Sequence, residues 1–269
     1  MKSPLLQVND LTVRFPIKKG IFARTAGWVN AVNGVSFRLS EGETLGIVGE
    51  SGSGKSTVAR AVLLLNKPSS GEILLDGEDV RSFRNEKLLE YRRAVQVVFQ
   101  DPLASLNPRH TVMEILTEAA MVHGLVKTSG RRDEAVRLLE TVGLDSSMLE
   151  RYPHAFSGGQ RQRICIARAL ALKPRILICD EAVSALDLSV RAQVLNLLEE
   201  LKKKYSLSYL FITHDIGVVR HIADRIAVMH KGRIVETGDA ESVLDNPQEE
   251  YTKYLMAAVP RIGEPMKEE

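Results

Sequence analysis

The apolar run Thr44 to Val48 stops at Gly49-Glu-Ser-Gly-Ser-Gly-Lys-Ser-Thr57, and a helical stretch begins near Ser56. An apolar run, a glycine-rich turn and a helix in that order confine the chain to a strand, a tight turn at its carboxyl end, and a helix leading away. A turn of this kind points unpaired backbone N–H groups outward, and Gly49, Gly52 and Gly54 remove Cβ atoms that would keep a phosphate from reaching them. Glu50, Ser51 and Ser53 complete the cradle on one side, Thr57 on the other. Lys55 adds a point charge for outer phosphates, and Ser56 offers a hydroxyl oxygen to Mg²⁺. This is the chemistry of a nucleoside triphosphate site. A second turn, Ser157-Gly-Gly-Gln-Arg161, also opens a helix with a small polar residue and two glycines. It is built to meet an anion, yet it has neither lysine nor metal ligand, so it reads as half of a site completed by another molecule.

The bulk numbers narrow the class. A chain of 269 residues is ample for one α/β domain, with or without a smaller inserted lobe. Its 36 basic and 34 acidic residues leave a formal charge of +2, too slight for the sustained basic face of a nucleic-acid binder. The longest apolar stretches, such as Ala61 to Leu65 and Ile176 to Cys179, fall far short of the roughly 20 residues of a spanning helix. Met1-Lys-Ser-Pro-Leu-Leu-Gln has no apolar core for a secretory signal, so the expected compartment is the cytoplasm. Cys165 and Cys179 lie inside apolar segments and read as small core residues.

Short β-rich runs occur at Leu5–Phe15, Val35–Leu39, Thr44–Val48, Glu72–Leu75, Ala94–Phe99, Ile176–Cys179, Tyr209–Thr213, Ile226–His230 and Arg233–Glu236. The runs starting at 44, 94, 176 and 209 are apolar almost throughout, as strands of a doubly covered parallel sheet are, and the earlier and later ones read as antiparallel hairpins. From Pro102 to about Tyr152 helical spacing takes over, in Thr111–Val122 and Arg131–Val142, with Gly124, Gly130 and Gly143 as breaks. That stretch is a candidate helical insert. Pro16 to Ala31, with Lys18, Lys19, Arg24 and Trp28, has no clear period and reads as a loop. The expected fold is α/β: a mainly parallel core, an antiparallel β lobe, and an inserted helical subdomain.

A triphosphate site needs acidic partners, and Ile176-Leu-Ile-Cys-Asp180-Glu181 supplies two at the end of an apolar run. Asp180 is suited to hold magnesium directly or through water, and Glu181 to polarise the attacking water. Gln100 and His214 close two further apolar runs. Strands of a parallel sheet end on one edge, so Lys55, Gln100, Asp180 and His214 converge there. Gln100 would touch both magnesium and water, and His214 the γ-phosphate. For the base, Phe15 is the first candidate for an aromatic platform and Trp28 the second. Stacking adds about 0.5–1.5 kcal/mol beyond area, less than the cradle's combined charge and N–H donors, so base selectivity is weak and ATP is the expected nucleotide. Ser157 caps its helix, while Gly158 and Gly159 lower helix propensity and call for a reason such as close backbone approach.

In this order the residues resemble the ABC-type ATPase family, and the match spans nearly the whole chain. Walker A is Gly49–Thr57, the Q-loop Gln100, the signature Ser157-Gly-Gly-Gln160, Walker B Ile176–Asp180, the catalytic glutamate Glu181, the D-loop Ser184-Ala-Leu-Asp187 and the switch histidine His214. The resemblance implies a single ABC ATPase domain over 1–269: a P-loop NTPase core plus β lobe in 5–101 and 160–240, a helical insert with the signature in 102–159, and a tail in 241–269. It further implies ATP and Mg²⁺ as cofactors and a head-to-tail pair of ATPase chains, self or sister, each ATP lying between Lys55 of one and Ser157, Gly158, Gly159, Gln160 and Asp187 of the other. Two integral-membrane permease subunits would be driven by closure, near Pro102–Arg109. A substrate-binding protein outside the membrane would choose the cargo, and the chain itself would sit on the cytoplasmic face of the membrane.

Phe156 before the signature, Val183-Ser-Ala-Leu-Asp187, the long segment after Phe15 and the tail Asn246–Pro260 are similar to the peptide and nickel branch of importers. Ala182, where most relatives have proline, and the early stop after Pro260 resemble nickel-type subunits and lean toward a metal chelate over oligopeptides. Nucleic-acid maintenance or translation is the alternative within the same superfamily, and an isolated P-loop kinase or switch protein a second. The first usually carries a coiled coil, zinc cysteines or two ATPase units, none of which this sequence has. The Ser157 turn argues against the second.

Overall fold

The computed structural model describes residues 4–19 and 24–257. The chain opens with a long antiparallel pair, β1 (Leu6–Lys19) and β2 (Arg24–Leu39), then enters the core through β3 (Thr44–Val48) and α1 (Lys55–Val62). It continues through β4 (Ser70–Leu75), the short β5 (Glu78–Asp79), α2 (Asn85–Ala94) and β6 (Val95–Val98). Helices α3 (Pro102–Ser105), α4 (Val112–Val122), α5 (Arg131–Thr141) and α6 (Gly158–Leu170) precede β7 (Ile176–Asp180), α7 (Leu188–Tyr205) and β8 (Ser208–Thr213). Last come α8 (Ile216–Ile222), β9 (Arg225–His230), β10 (Arg233–Asp239), α9 (Ala240–Asp245) and α10 (Glu250–Ala257).

A six-stranded sheet in the order β10-β9-β3-β8-β7-β6 forms the core. Every residue of β3, β7 and β8 is buried, which is why these strands read as unbroken apolar runs: both faces are covered, so neither selects for polar side chains. β9 pairs antiparallel with β10, as the expected hairpin requires, and has a second neighbour that the sequence did not show. The α8 crossover carries the chain from β8 past β3, so β9 lies parallel to β3, and only β10 turns back antiparallel. The β9–β10 turn places Lys231 and Gly232 at φ 45° and 82°, the left-handed pair of a tight hairpin.

β1, β2, β4 and β5 make a separate four-stranded antiparallel sheet. Here the expected loop over Pro16–Ala31 is overturned. β1 and β2 extend past the body as a two-stranded ribbon in which Phe15 pairs with Val29, Pro16 with Trp28 and Ile17 with Gly27. Phe15, Ile17, Trp28 and Val29 all stay exposed, so neither ribbon face rests on a core and no alternation is imprinted on the sequence.

Helices α4, α5 and α6 pack together, and α6 also meets α3 and α7, so one apolar cluster runs from the insert into the core beneath β7. Thr111 and Glu114 close a capping box at the start of α4. Cys165 and Cys179 are buried in this cluster, and burial pushes their thiols up to about 11 and about 12. No helix among the described residues is long and apolar enough to cross a membrane.

Candidate nucleotide site

The lysine turn leaves β3 at the carboxyl edge of the sheet and opens α1, whose first residue is Lys55. Lys55 is 3 % exposed, and its Nζ donates to the carbonyls of Gly49 and Glu50 at 2.7 Å each, so the ammonium is folded over the turn. Burial lowers its pKa, and the nearby carboxylates of Glu181, Asp180 and Glu50 oppose that shift. The glycines have reasons the sequence did not reveal. A Cβ on Gly49 would sit 2.1 Å from the Met229 carbonyl oxygen, and one on Gly54 2.2 Å from that of Ala31. These two glycines are demanded by β9 and β2 whatever a phosphate also requires. Gly52 alone, at φ 79° with nothing within 4 Å, leaves the outer surface of the turn open. Ser51 is exposed there, Ser53 is buried beneath, and Thr57 is half-buried in α1.

Three strand ends meet this turn. Ser56 Oγ donates to Asp180 Oδ1 at 2.7 Å, joining the head of α1 to the end of β7. Asp180 is 5 % exposed and its pKa is raised, by burial first and by Glu181, against the lowering pull of Ser56, Arg60 and Lys55. Glu181 stands at φ 51°, left-handed for a residue with a side chain, and is held there by its N–H donating to Ile212 O at 2.8 Å and its carbonyl accepting from Ser184. His214, just past the end of β8, brings Nδ1 to 3.3 Å from Glu181 Oε1. Gln100, exposed after β6, lines a cleft of about 570 Å³ whose walls include Asp180, Arg60 and Arg168. The structure therefore brings Lys55, Ser56, Asp180, Glu181 and His214 together, with Gln100 across the cleft.

Mg²⁺ suits this donor set. A hydroxyl and a buried carboxylate oxygen lie side by side, both hard ligands of the kind Mg²⁺ takes. Among the described residues no group of three or more His, Cys, Asp or Glu is placed to hold a metal by itself.

The signature turn is separate. Ser157 caps α6 in a capping box, its Oγ accepting from Gln160 N at 3.3 Å and its N–H donating to Gln160 Oε1 at 3.0 Å. A Cβ on Gly159 would lie 2.3 Å from Val190 Cγ1 of α7, the close approach the sequence called for. A Cβ on Gly158 would meet only Leu186 Cδ2 at 3.8 Å, so packing does not explain this glycine. Asp187 caps α7, its Oδ1 accepting from Val190 N at 3.0 Å, which holds its carboxyl below the usual range. Phe15 and Trp28 occupy adjacent registers of the ribbon and so face opposite sides; they cannot stack on the same base.

Residues 32–184 match the family model described as ABC transporter. The chain belongs to the ABC transporter family. It is similar to the oligopeptide transport ATP-binding protein AppF of Bacillus subtilis, 51% identical over 95% of this chain and 78% of that protein. It is also similar to the glutathione import ATP-binding protein GsiA of Salmonella paratyphi A, 52% identical over 98% of this chain but only 42% of that longer protein. These relatives lie within the peptide and nickel importer branch. Among solved structures it is similar to the ATP-binding cassette MJ0796, a dimer in a post-hydrolysis state bound to ADP and Pi, with a TM-score of 0.76, 29% identity and 87% of this chain covered against 98% of that one. A cbiO1 structure from Clostridium perfringens gives a TM-score of 0.76 at 27% identity, over 97% of this chain and 98% of that one. The protein is thus an ABC ATPase, in fold and in activity.

One linkage in this ABC ATPase was missed from sequence. Arg191 of α7 makes a 2.6 Å ion pair with Asp215, the residue after His214 and the cap of α8, and also reaches Leu186 O at 3.3 Å. It ties the helix behind Asp187 to the helix behind His214. A capping residue directly after a strand-end histidine was the only available signal; its partner 24 residues earlier had none.

Proposed function

We propose that this chain is the ATP-hydrolysing subunit of a peptide importer, in which two ATPase chains close head to tail on ATP and drive separate permease subunits. Gly49–Thr57 hold the phosphates, Lys55 countering the outer ones, and Ser56, Asp180 and Gln100 would hold Mg²⁺, which supplies charge neutralisation on the phosphates. Water attacks the γ-phosphorus in line, its proton passes toward Glu181, and the bond to the β-phosphate oxygen breaks to release ADP and phosphate. His214 orients Glu181 through their 3.3 Å contact and faces the γ-phosphate. Phe15 is the proposed adenine platform, with Trp28 on the other ribbon face as the alternative. Domain roles follow: 5–101 and 160–240 as core and β lobe, 102–159 as the permease-facing helical insert with the signature, and 241–269 as the tail, of which 258–269 lies outside the described residues.

The observation that carries the reading is the open signature turn. Ser157 and Gly158 are exposed at a helix N-terminus, and Gly158 is a glycine its own chain does not need. A partner's terminal phosphate is the ligand such a turn suits, and the dimeric post-hydrolysis cassette among its structural neighbours supports the same arrangement. Relatives named for oligopeptide and glutathione support a peptide-type cargo. Ala182, the residue that resembles nickel-type subunits, is buried at 3 % exposure and touches no cargo. The importer reading puts the chain at the cytoplasmic face of the membrane, with cargo chosen by an outside binding protein.

The test is Glu181→Gln. It should bind Mg-ATP, pair into dimers by light scattering, and release phosphate about 10²- to 10⁴-fold more slowly. Near-normal phosphate release overturns the role of Glu181, and a monomer saturated with Mg-ATP overturns the shared site. Co-purification with two permease subunits checks the importer assignment.

A further inference from the structure

The lysine turn is held from outside at both ends by segments far later in the chain, one of them 201 residues on. At its far end Gly232 N, in the β9–β10 turn, donates to Ser53 O at 2.9 Å, and Asn33 N donates in turn to Gly232 O at 2.8 Å. At its near end the N–H of Glu50 donates to the hydroxyl of Tyr251 in α10 at 3.2 Å. The Tyr251 ring rests against His230, the last residue of β9, with centroids 3.8 Å apart. Tyr251, Leu255 and Met256 pack on an apolar cluster made of Val48 from the strand before the turn, Ile216 and Val219 from the helix after His214, and Ala240, Val243 and Leu244 from α9. The start of α10 is fastened separately, by Gln248 and Glu249 N–H groups donating to the Glu236 carboxylate at 2.8 and 3.2 Å.

We infer that α10 is a latch on the phosphate loop and that Tyr251 is a positioning residue for ATP binding. Glu50 is the loop's first side-chain-bearing residue, and Gly49 before it has no Cβ to wedge it in place. A backbone N–H bonded to a fixed phenol is one that does not rotate away, so the N–H groups after it stay aimed at the phosphates before ATP arrives. Pre-setting a loop in its bound shape strengthens binding and leaves the later chemical step nearly unchanged. The same helix packs on the apolar cluster that Ile216 and Val219 of α8 also join. The inference rests on residues 49–57 holding the phosphates.

Tyr251→Phe keeps the ring on His230 and removes only the oxygen. Loss of one hydrogen bond of this kind predicts Mg-ATP binding about 2- to 10-fold weaker, KM rising in step and kcat changing by less than about twofold. Hydrogen exchange of the ATP-free protein is the direct readout: amides of 49–54 exchange faster in Tyr251→Phe while those of 252–257 do not. Tyr251→Ala, which also loses the ring, should weaken ATP further. If Tyr251→Phe binds ATP as the parent does and the loop exchanges at the same rate, the latch is wrong. If only α10 loosens, or only melting temperature falls, Tyr251 is structural and the inference fails. Lys55→Ala tests the underlying reading by itself: normal ATP binding in that variant removes the loop's role, whatever the exchange data say of the latch.

Discussion

Two turns in this ATPase are built from the same materials, a small polar residue, glycines and a helix N-terminus, and they are finished in opposite ways. The lysine turn is enclosed by its own chain: the Met229 and Ala31 carbonyls crowd Gly49 and Gly54, Ser53 is buried, and Lys55 lies almost wholly inside. The signature turn is anchored underneath by Gly159 against Val190 and left open above at Ser157 and Gly158. An enclosed turn has its shape set by its own chain before any ligand comes. An open one fixes only its base and leaves the last contact to whatever docks there. The difference teaches that a glycine in a phosphate-type motif can be required for two unrelated reasons, and that only space around its absent Cβ tells them apart.

The sharpest break of that comparison is at Gly54. Its φ of 106° and a backbone carbonyl 2.2 Å from where a Cβ would sit leave Gly54→Ala no cheap relaxation. Left-handed strain and overpacking together predict a loss of about 2–5 kcal/mol, read as a fall in the urea midpoint. Gly52→Ala, with open space around it, should lose only the strain, about 1–2 kcal/mol. Equal losses would mean that the enclosure of the lysine turn is not what makes its glycines necessary. The signature turn gives the next effect. Gly159→Ala should lose about 1–3 kcal/mol against Val190. Gly158→Ala should stay within about 0.5 kcal/mol of the parent yet weaken ATP-driven pairing in the Glu181→Gln background. Unchanged pairing there means that nothing reaches Gly158 from outside.

What could be read from sequence follows the same division between enclosed and open. Thr44–Val48, Ile176–Asp180 and Tyr209–Thr213 were legible because strands covered on both faces hold only apolar residues. The polar residues ending those strands, Asp180, Glu181 and His214, stood out against that background, and the parallel topology put them together. The ribbon was illegible because Phe15, Ile17, Trp28 and Val29 face water on both sides, which removes the period that marks a strand. The antiparallel pairing of β9 with β10 was legible, but its parallel pairing with β3 was not, because a six-residue strand carries no sign of which neighbour its crossover will reach. The reasons for Gly49 and Gly54, the Arg191–Asp215 pair and the reach of Tyr251 to Glu50 all depend on long-range contacts. Local pattern holds no trace of them.

The smallest expected effect separates the two turns by acid. The tail beside the lysine turn is fastened by a carboxylate, whereas the signature turn is fastened by neutral Ser157–Gln160 bonds and by the Arg161 guanidinium on the carbonyls of Pro153 and His154. Burial works to raise the Glu236 carboxyl, but the Gln248 and Glu249 N–H groups and the charge of Lys253 prevail and hold it below its ordinary 4.5. A carboxyl depressed in the folded state contributes stability that is full above about 4.5 and is lost as pH falls through the depressed folded value. Asp187, capping the α7 that supports Gly159, is likewise depressed, from the lower ordinary value of 3.8, so its loss begins at more acid pH. Over the interval between those two onsets, hydrogen exchange should quicken first in 248–257 and then in 49–54, while the first turn of α6 keeps its protection. Glu236→Gln should show the same loosening already at neutral pH and lose the acid-dependent step. Were the signature turn to loosen first, the carboxylate-fastened tail would not be what distinguishes the lysine turn, because the open turn would then be the one relying on a carboxylate.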